Sequence, residues 1–184
     1  MRDDSIQRVL ISAEQIQRRV AELAAQIDRD YADRDPLIVF IMKGALIFVA
    51  DLLRALRSDV RIDFMVVSSY GERTESSGSV RIVADLKSDV RGRDVLLVED
   101  IIDSGLTVHE VIEHLRVRMP ASLEVCTLLS KPSRRRVEVP ARYVGFEIED
   151  QFVVGYGLDY AERCRGLPYI GVCDPAGALH PAQE

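Results

Sequence analysis

The stretch Val95-Leu96-Leu97-Val98-Glu99-Asp100-Ile101-Ile102-Asp103-Ser104-Gly105-Leu106-Thr107 sets four unbroken apolar residues against two adjacent acids. An Asp-Ser-Gly turn follows, and then helical spacing through Leu106, Val111, Ile112 and Leu115. An apolar run without polar alternation belongs to a strand covered on both faces of a parallel sheet. The two acids end that strand, a short loop crosses over, and the spacing predicts a helix from about Ser104 to Arg118. Two other stretches behave alike. Leu37 to Met42 is interrupted by Lys43-Gly44 and resumes at helical spacing from Ala45 to Leu56, and Leu123 to Leu129 stops at Ser130-Lys131-Pro132. Strand and helix alternate, which predicts an α/β protein with a doubly wound, mostly parallel sheet flanked by helices.

The remaining chain fits around that frame. Ser12 and Gln15 form an S-x-x-Q capping box ahead of Ile16, Val20, Leu23, Ala24, Ile27 and Tyr31, predicting an amphipathic helix over 12–33. Val60 to Tyr70 alternates in part, as do Val80, Ile82 and Ala84, so two strands are expected around a polar loop at Gly71 to Gly78. Shorter strands are expected at Tyr143 to Ile148, Phe152 to Tyr156 and Tyr169 to Cys173. No repeat or linker interrupts the chain. With 184 residues, 47% of them hydrophobic, residues 1–184 read as a single domain, with its core at about 36–175 and a frayed tail at 175–184.

Charge and composition exclude several classes of function. Lys and Arg number 24 against 30 Asp and Glu, a net charge of −6, which argues against coating nucleic acid or an anionic membrane through bulk charge. Any anion site is therefore local. The most apolar stretch, Leu37 to Ala50, has fourteen residues with Lys43 near its centre, short of the roughly 20 that span a bilayer. Asp3 and Asp4 stand where a secretion signal needs basic residues, so the expected location is cytoplasmic. Cys126, Cys164 and Cys173 are odd in number and lack a C-x-x-C pair, as reduced structural thiols would.

Ligands of open α/β sheets gather beyond the carboxyl ends of the strands. Lys43-Gly44, Glu99-Asp100 and Lys131 are therefore the residues to weigh. Amides of the 103–107 turn, with the Ser104 and Thr107 hydroxyls, can encircle a phosphate at the positive end of a helix, and Gly105 allows close backbone approach. Glu99 and Asp100 would repel that phosphate. They suit sugar hydroxyls, or a hard divalent cation that also touches phosphate, and together these features suggest a phosphorylated sugar with Mg²⁺. Plainer readings exist: acids commonly end strands, and Asp103 or Ser104 could simply cap a helix. Lys43 inside an apolar run is harder to explain as a snorkelling surface lysine. Arg134-Arg135-Arg136, without interleaved aromatics, reads as a solvated or subunit-facing edge, and His109 and His114 as surface residues without metal-ligand company.

The segment from Glu99 to Gly105 resembles the thirteen-residue signature of the type I phosphoribosyltransferases that use phosphoribosyl diphosphate, in particular their hypoxanthine-guanine branch. Met42-Lys43-Gly44-Ala45, Ser68-Ser69-Tyr70-Gly71, Lys131-Pro132 and Phe152 to Tyr160 follow in that family's order, so the resemblance covers roughly residues 36–175. It implies the family's fold, with a small hood formed by the N- and C-terminal segments. It implies transfer of a phosphoribosyl group to N9 of hypoxanthine or guanine, giving IMP or GMP and diphosphate with Mg²⁺ as cofactor.

By the same resemblance, Asp103 takes or shares the proton at purine N7, while Glu99, Asp100, Asp103, Ser104, Gly105, Leu106 and Thr107 hold the phosphoribosyl group. Lys43, Gly44 and Arg165 hold diphosphate, with an unusual cis peptide in the Lys43 loop of the family. Lys131, Phe152, Val153 and Asp159 meet the purine, Ser69 and Tyr70 belong to a lid, and Glu99, Asp100 and Asp159 meet the metal. Lys131, which offers only donors, suits the O6 of a 6-oxopurine and disfavours adenine. Ser104 stands where many relatives carry Thr, and Leu106 where some carry Lys; a main-chain phosphate cradle tolerates both. The implied partners are small molecules, with neither nucleic acid nor membrane, in a homodimer or homotetramer. Two alternatives are a xanthine- or guanine-preferring enzyme and a non-catalytic regulator that senses phosphoribosyl diphosphate. The retained Asp103, and a segment before residue 36 with only one acidic helix, disfavour the regulator.

Overall fold

Each unbroken apolar run becomes an inner strand. The computed structural model describes residues 6–69 and 80–174. In chain order it contains β1 (Ile6–Ile11), α1 (Ala13–Asp30), β2 (Leu37–Met42), α2 (Leu46–Ala55), β3 (Arg61–Ser69), β4 (Val80–Ala84), β5 (Asp94–Ile102) and α3 (Leu106–Arg116). Then follow β6 (Ser122–Ser130), a helical turn at Pro132–Arg134, β7 (Ala141–Glu147), β8 (Val153–Val154) and β9 (Ile170–Cys173). Six strands form one sheet in the order β4-β3-β2-β5-β6-β7. All its pairings are parallel except the edge pair β3-β4.

The period of two along the strands divides the core. Ile38, Phe40, Leu96, Val98 and Leu128 pack into the layer that holds α1 and α2. Leu37, Val39, Ile41, Val95 and Leu97 pack with α3. Burying one such side chain stabilises the fold by about 1.5–3 kcal/mol, so two facing helix layers hold the sheet. Neighbouring strands β2 and β5 are followed by helices on opposite faces, and a crevice opens between their carboxyl ends.

Ser12 caps α1 as expected: the Gln15 amide donates to Ser12 Oγ at 3.3 Å and the Ser12 amide donates to Gln15 Oε1 at 2.8 Å. A second, antiparallel sheet, β1-β9-β8, joins the two ends of the described chain into the expected hood. Its β1 was not foreseen, because Ile6 to Ile11 lacks regular alternation and pairs with irregular register against Ile170–Cys173.

Several boundaries differ from expectation. Glu99 and Asp100 do not end β5, because pairing with the equally long β6 continues through Glu99↔Thr127, Ile101↔Leu129 and Ile102↔Ser130. Helix α3 starts at Leu106 rather than Ser104, because Gly105 at φ 85° turns the chain first. The strand expected over 152–156 shrinks to two residues, since Gly155, Tyr156 and Gly157 all hold positive φ. Ser69 ends β3 opposite Val80, while Tyr70, the 71–78 loop and the tail from 175 lie outside the described residues. Cys126 and Cys164 are free thiols. Among the described residues no helix is long and apolar enough to cross a membrane.

Candidate active site

Three segments converge where β2 and β5 part. The Met42-Lys43 peptide is cis. The Gly44 backbone lies so close to the Asp100 carboxylate that a Cβ there would overlap Asp100 Oδ2, and a Cβ on Gly157 would overlap the Gly44 carbonyl. Only glycine permits both approaches, which bring the end of β2, the acids of β5 and the loop after β8 into contact. In that loop Arg165 Nη1 donates to the Gly157 carbonyl at 2.7 Å, and its Nη2 lies 2.7 Å from Asp159 Oδ1. Lys43 Nζ meets Glu162 Oε2 at 2.8 Å. Glu162, whose amide donates to Asp159 Oδ2 at 2.8 Å, was not singled out in the sequence. Nothing local marks it, because its partner Lys43 is 119 positions away.

Glu99 is buried, with Oε2 lacking a hydrogen-bond partner in the structure. Burial, and then the neighbouring Asp100 charge, push its carboxyl well above the usual range. Burial likewise pushes Asp100 up to about 6, against the opposing Ile101 amide, which donates to Asp100 Oδ1 at 2.7 Å, and the Arg165 charge. Two crowded carboxylates with an orphaned oxygen fit a hard cation or sugar hydroxyls. Among the described residues no cluster of three or more His, Cys, Asp or Glu could cage a metal, so Glu99, Asp100 and Asp159 do not gather into one three-acid site.

A concavity of about 220 Å³ adjoins these acids, lined by Glu99, Asp103, Ser104, Gly105 and Thr107 among others. It faces the N-terminus of α3, where unpaired amides and the helix dipole favour an anion. Ser104 Oγ accepts from the Leu106 amide at 3.4 Å, and the Ser104 carbonyl accepts from the Arg136 and Val137 amides at 2.9 and 3.3 Å. Leu106 contributes backbone at this helix start.

Of the arginine triplet, Arg134 and Arg136 are exposed, as a solvated edge would be, whereas Arg135 is half-buried. Arg135 donates to the Asp103 carbonyl at 3.1 Å and to Ser130 Oγ at 2.8 Å, and Arg134 Nε donates to Asp103 Oδ1 at 3.2 Å. A run of like charge looks the same in sequence whether it faces water or acidic partners.

On the third side, Lys131 is buried at the tip of β6, with Nζ 3.5 Å from Asp103 Oδ2 and 3.7 Å from Asp150 Oδ1. Asp150, which also meets Arg134 Nη1 at 3.6 Å, is a second residue the sequence reading missed. Phe152 is 41% exposed and sets its ring edge-to-face with Tyr160 at 5.6 Å, while Val153 is buried in β8. His114 is a partly exposed surface residue whose Nε2 lies 2.9 Å from Asp85 Oδ2. Contacts thus join Gly44, Asp100, Gly157, Asp159 and Arg165 on one side of the crevice, with Lys43 linked to Arg165 through Glu162, and Asp103 with Lys131 on the other; Phe152 meets Tyr160.

Residues 11–161 match the family described as phosphoribosyl transferase domain. The chain is 53% identical over 176 residues to the hypoxanthine-guanine phosphoribosyltransferase of Bacillus subtilis (strain 168), covering 96% of this chain and 98% of that one. Among solved structures, a hypoxanthine phosphoribosyltransferase from Staphylococcus aureus superposes with a TM-score of 0.90 at 44% identity, covering 97% of this chain and 96% of the other. A hypoxanthine-guanine phosphoribosyltransferase from Bacillus anthracis, with a HEPES molecule in its active site, superposes at 0.88 with 47% identity, covering 92% and 99%.

Proposed function

The chain belongs to the phosphoribosyl transferase family, and from that premise we propose that it acts in purine salvage, transferring the 5-phosphoribosyl group of phosphoribosyl diphosphate to N9 of hypoxanthine and guanine and releasing diphosphate with IMP or GMP. The observation that carries this reading is Asp103. Its backbone opens the anion cradle, and its carboxylate lies 3.5 Å from the buried ammonium of Lys131. A sugar phosphate and a 6-oxopurine can therefore meet on one carboxylate.

In this mechanism the 5-phosphate occupies the cradle, held by the amides of 104–107 and the Ser104 and Thr107 hydroxyls. Glu99 and Asp100 accept hydrogen bonds from the ribose hydroxyls. They are also the carboxylates that would hold one Mg²⁺, with Asp159 proposed for a second on the diphosphate side; the metal supplies positive charge to the departing diphosphate when bound. Lys43 and Arg165 add positive charge on the same side, with the Gly44 amide beside them. As the C1–oxygen bond stretches, Asp103 takes or shares the N7 proton, a contribution of about 10²- to 10⁴-fold. Lys131 donates to O6, a contact that adenine's amino group cannot accept. The exposed ring of Phe152 stacks on the base, and the Val153 backbone reads its edge.

Residues 1–184 are proposed to form one catalytic domain, with its core at about 36–175. The free thiols of Cys126 and Cys164 suit a reducing compartment, and with it the cytoplasm. Exposed apolar side chains at Leu46, Ile62 and Phe64 suit the covered face of a homodimer or homotetramer. The decisive assay supplies Mg²⁺ and phosphoribosyl diphosphate with hypoxanthine, guanine, xanthine, adenine or uracil and identifies the nucleotide formed. Hypoxanthine and guanine are expected to lead; adenine or uracil as best substrate rejects the role given to Lys131, and xanthine as best substrate moves the enzyme to the xanthine-preferring branch.

A further inference from the structure

Lys43 and Arg165, the cations proposed for the diphosphate side of the crevice, already share an anion of this chain's own. One Glu162 oxygen lies 2.8 Å from Lys43 Nζ and the other 3.5 Å from Arg165 Nη2. A single carboxylate thus bridges two cations from segments more than a hundred residues apart, as a phosphate would.

The backbone is shaped to hold it there. Tyr160 and Arg163 exchange backbone hydrogen bonds of 3.1 and 3.0 Å around a two-residue turn, and both central residues, Ala161 and Glu162, sit at positive φ, 48° and 63°. Such turns favour Asn-Gly, because a side chain at positive φ is strained. Here neither residue is glycine, and the Asp159 carboxylate fastens the turn by accepting from the Glu162 amide. Non-glycine residues kept in this region mark places where local strain serves a purpose. Glu162 is also two-thirds exposed, so its side chain can leave without unpacking the core.

We propose that Glu162 is a built-in competitor for diphosphate: its carboxylate neutralises Lys43 and Arg165 while the diphosphate position is empty, and an arriving diphosphate group displaces it. This rests on the assignment of Lys43 and Arg165 to the diphosphate side. The device sets how tightly the product is held. With Glu162 away, Lys43 loses its anion and Arg165 keeps only Asp159, so the cations would grip diphosphate more strongly and slow its release, whereas the returning carboxylate weakens that grip and restores the resting contacts.

The test titrates inorganic diphosphate with Mg²⁺ calorimetrically into wild type, Glu162→Gln, Glu162→Asp and Lys43→Met. Glu162→Gln should bind diphosphate roughly two- to fivefold more tightly, the range expected on deleting one exposed ion pair. The gap should narrow at high salt. Glu162→Asp, which keeps the charge, should stay nearer wild type. In steady state Glu162→Gln should show a lower KM for phosphoribosyl diphosphate and stronger inhibition by product diphosphate. If Lys43→Met weakens diphosphate binding while Glu162→Gln leaves it unchanged or weaker, the competitor role is overturned and the site assignment stands. If Lys43→Met has no effect on diphosphate binding, the site assignment itself falls.

Discussion

Glu99 and Asp100 sit side by side in β5, and their burial has consequences of opposite sign for stability and for ligand binding. In an unfolded chain Asp100 ionises near its usual value of about 3.9; in the fold it ionises at about 6. Between those values the folded protein keeps a proton that the unfolded chain has lost, so stability falls as pH rises from about 4 to 6 and stays at the lower level above. Full burial would make this roughly 3 kcal/mol. Because Asp100 keeps partial exposure, about 1–2 kcal/mol is expected after solvent screening. Urea unfolding of the ligand-free protein at pH 4, 5, 6 and 7 measures it: the stability difference between wild type and Asp100→Asn should grow in favour of the variant across that window, and a constant difference refutes the assignment. On the role proposed for Asp100, Mg²⁺ with phosphoribosyl diphosphate takes its ionised form, so binding should strengthen over the same range. Asp103 supplies a different signature. Asp103→Asn keeps the shape of the turn but removes the base, so kcat should fall about 10²-fold or more while KM for phosphoribosyl diphosphate changes by less than about threefold. Unchanged turnover by initial-rate assay excludes Asp103 as the proton acceptor.

At the scale of elements, the 103–107 turn depends on its glycine. Gly105 sits at φ 85°, and a Cβ there would lie 2.6 Å from the Val137 carbonyl, whereas Gly92, at φ 68°, has open space around it. The two sites separate backbone strain from collision. Gly92→Ala should cost about 1 kcal/mol from positive φ alone, and Gly105→Ala about 2–4 kcal/mol, with loss of phosphoribosyl diphosphate affinity only for Gly105→Ala. Equal costs in urea melts would mean that the Val137 contact is unimportant. The same turn marks where sequence reading ends. The unbroken runs at Leu37–Met42 and Val95–Val98 and the Ser12 capping box are local patterns, and each produced the expected element. β1 was invisible because its partner stands at the far end of the described chain. The continuation of β5 through Glu99 and Asp100 was hidden because it depends on the length of β6. Lys43, Glu99, Asp100, Asp103 and Lys131 were legible as polar residues interrupting or following apolar runs. Asp150 and Glu162 lie in polar loops, where an acid is unremarkable until the fold brings a cation to it.

At the scale of the whole molecule, a chain of net charge −6 brings four cations to one crevice, each already met by a carboxylate of the chain, so the proposed anionic substrate has to compete with those partners. Lys43 comes from the end of β2, Lys131 and Arg134 follow β6, and Arg165 comes from the loop between β8 and β9. The crevice therefore belongs to both sheets. Residues of the hood, among them Val153, Tyr156, Leu158 and Ile170, share one core with α1 and α2, so a ligand touching the hood loop and the β5 turn together ties the two sheets through contacts that the unfolded chain cannot make. Phosphoribosyl diphosphate with Mg²⁺, at a hundred times its dissociation constant, should then add about 2.7 kcal/mol to global stability. Hydrogen exchange locates that gain. Amides at 103–107 and at 155–165 should slow together on addition of the ligand and should return together to the free rate in Asp100→Asn, which removes one carboxylate from the acid pair. Protection confined to 103–107, with the 155–165 loop exchanging as in the free protein, would show that the hood does not contribute to binding and that the cations at Lys43 and Arg165 serve the fold alone.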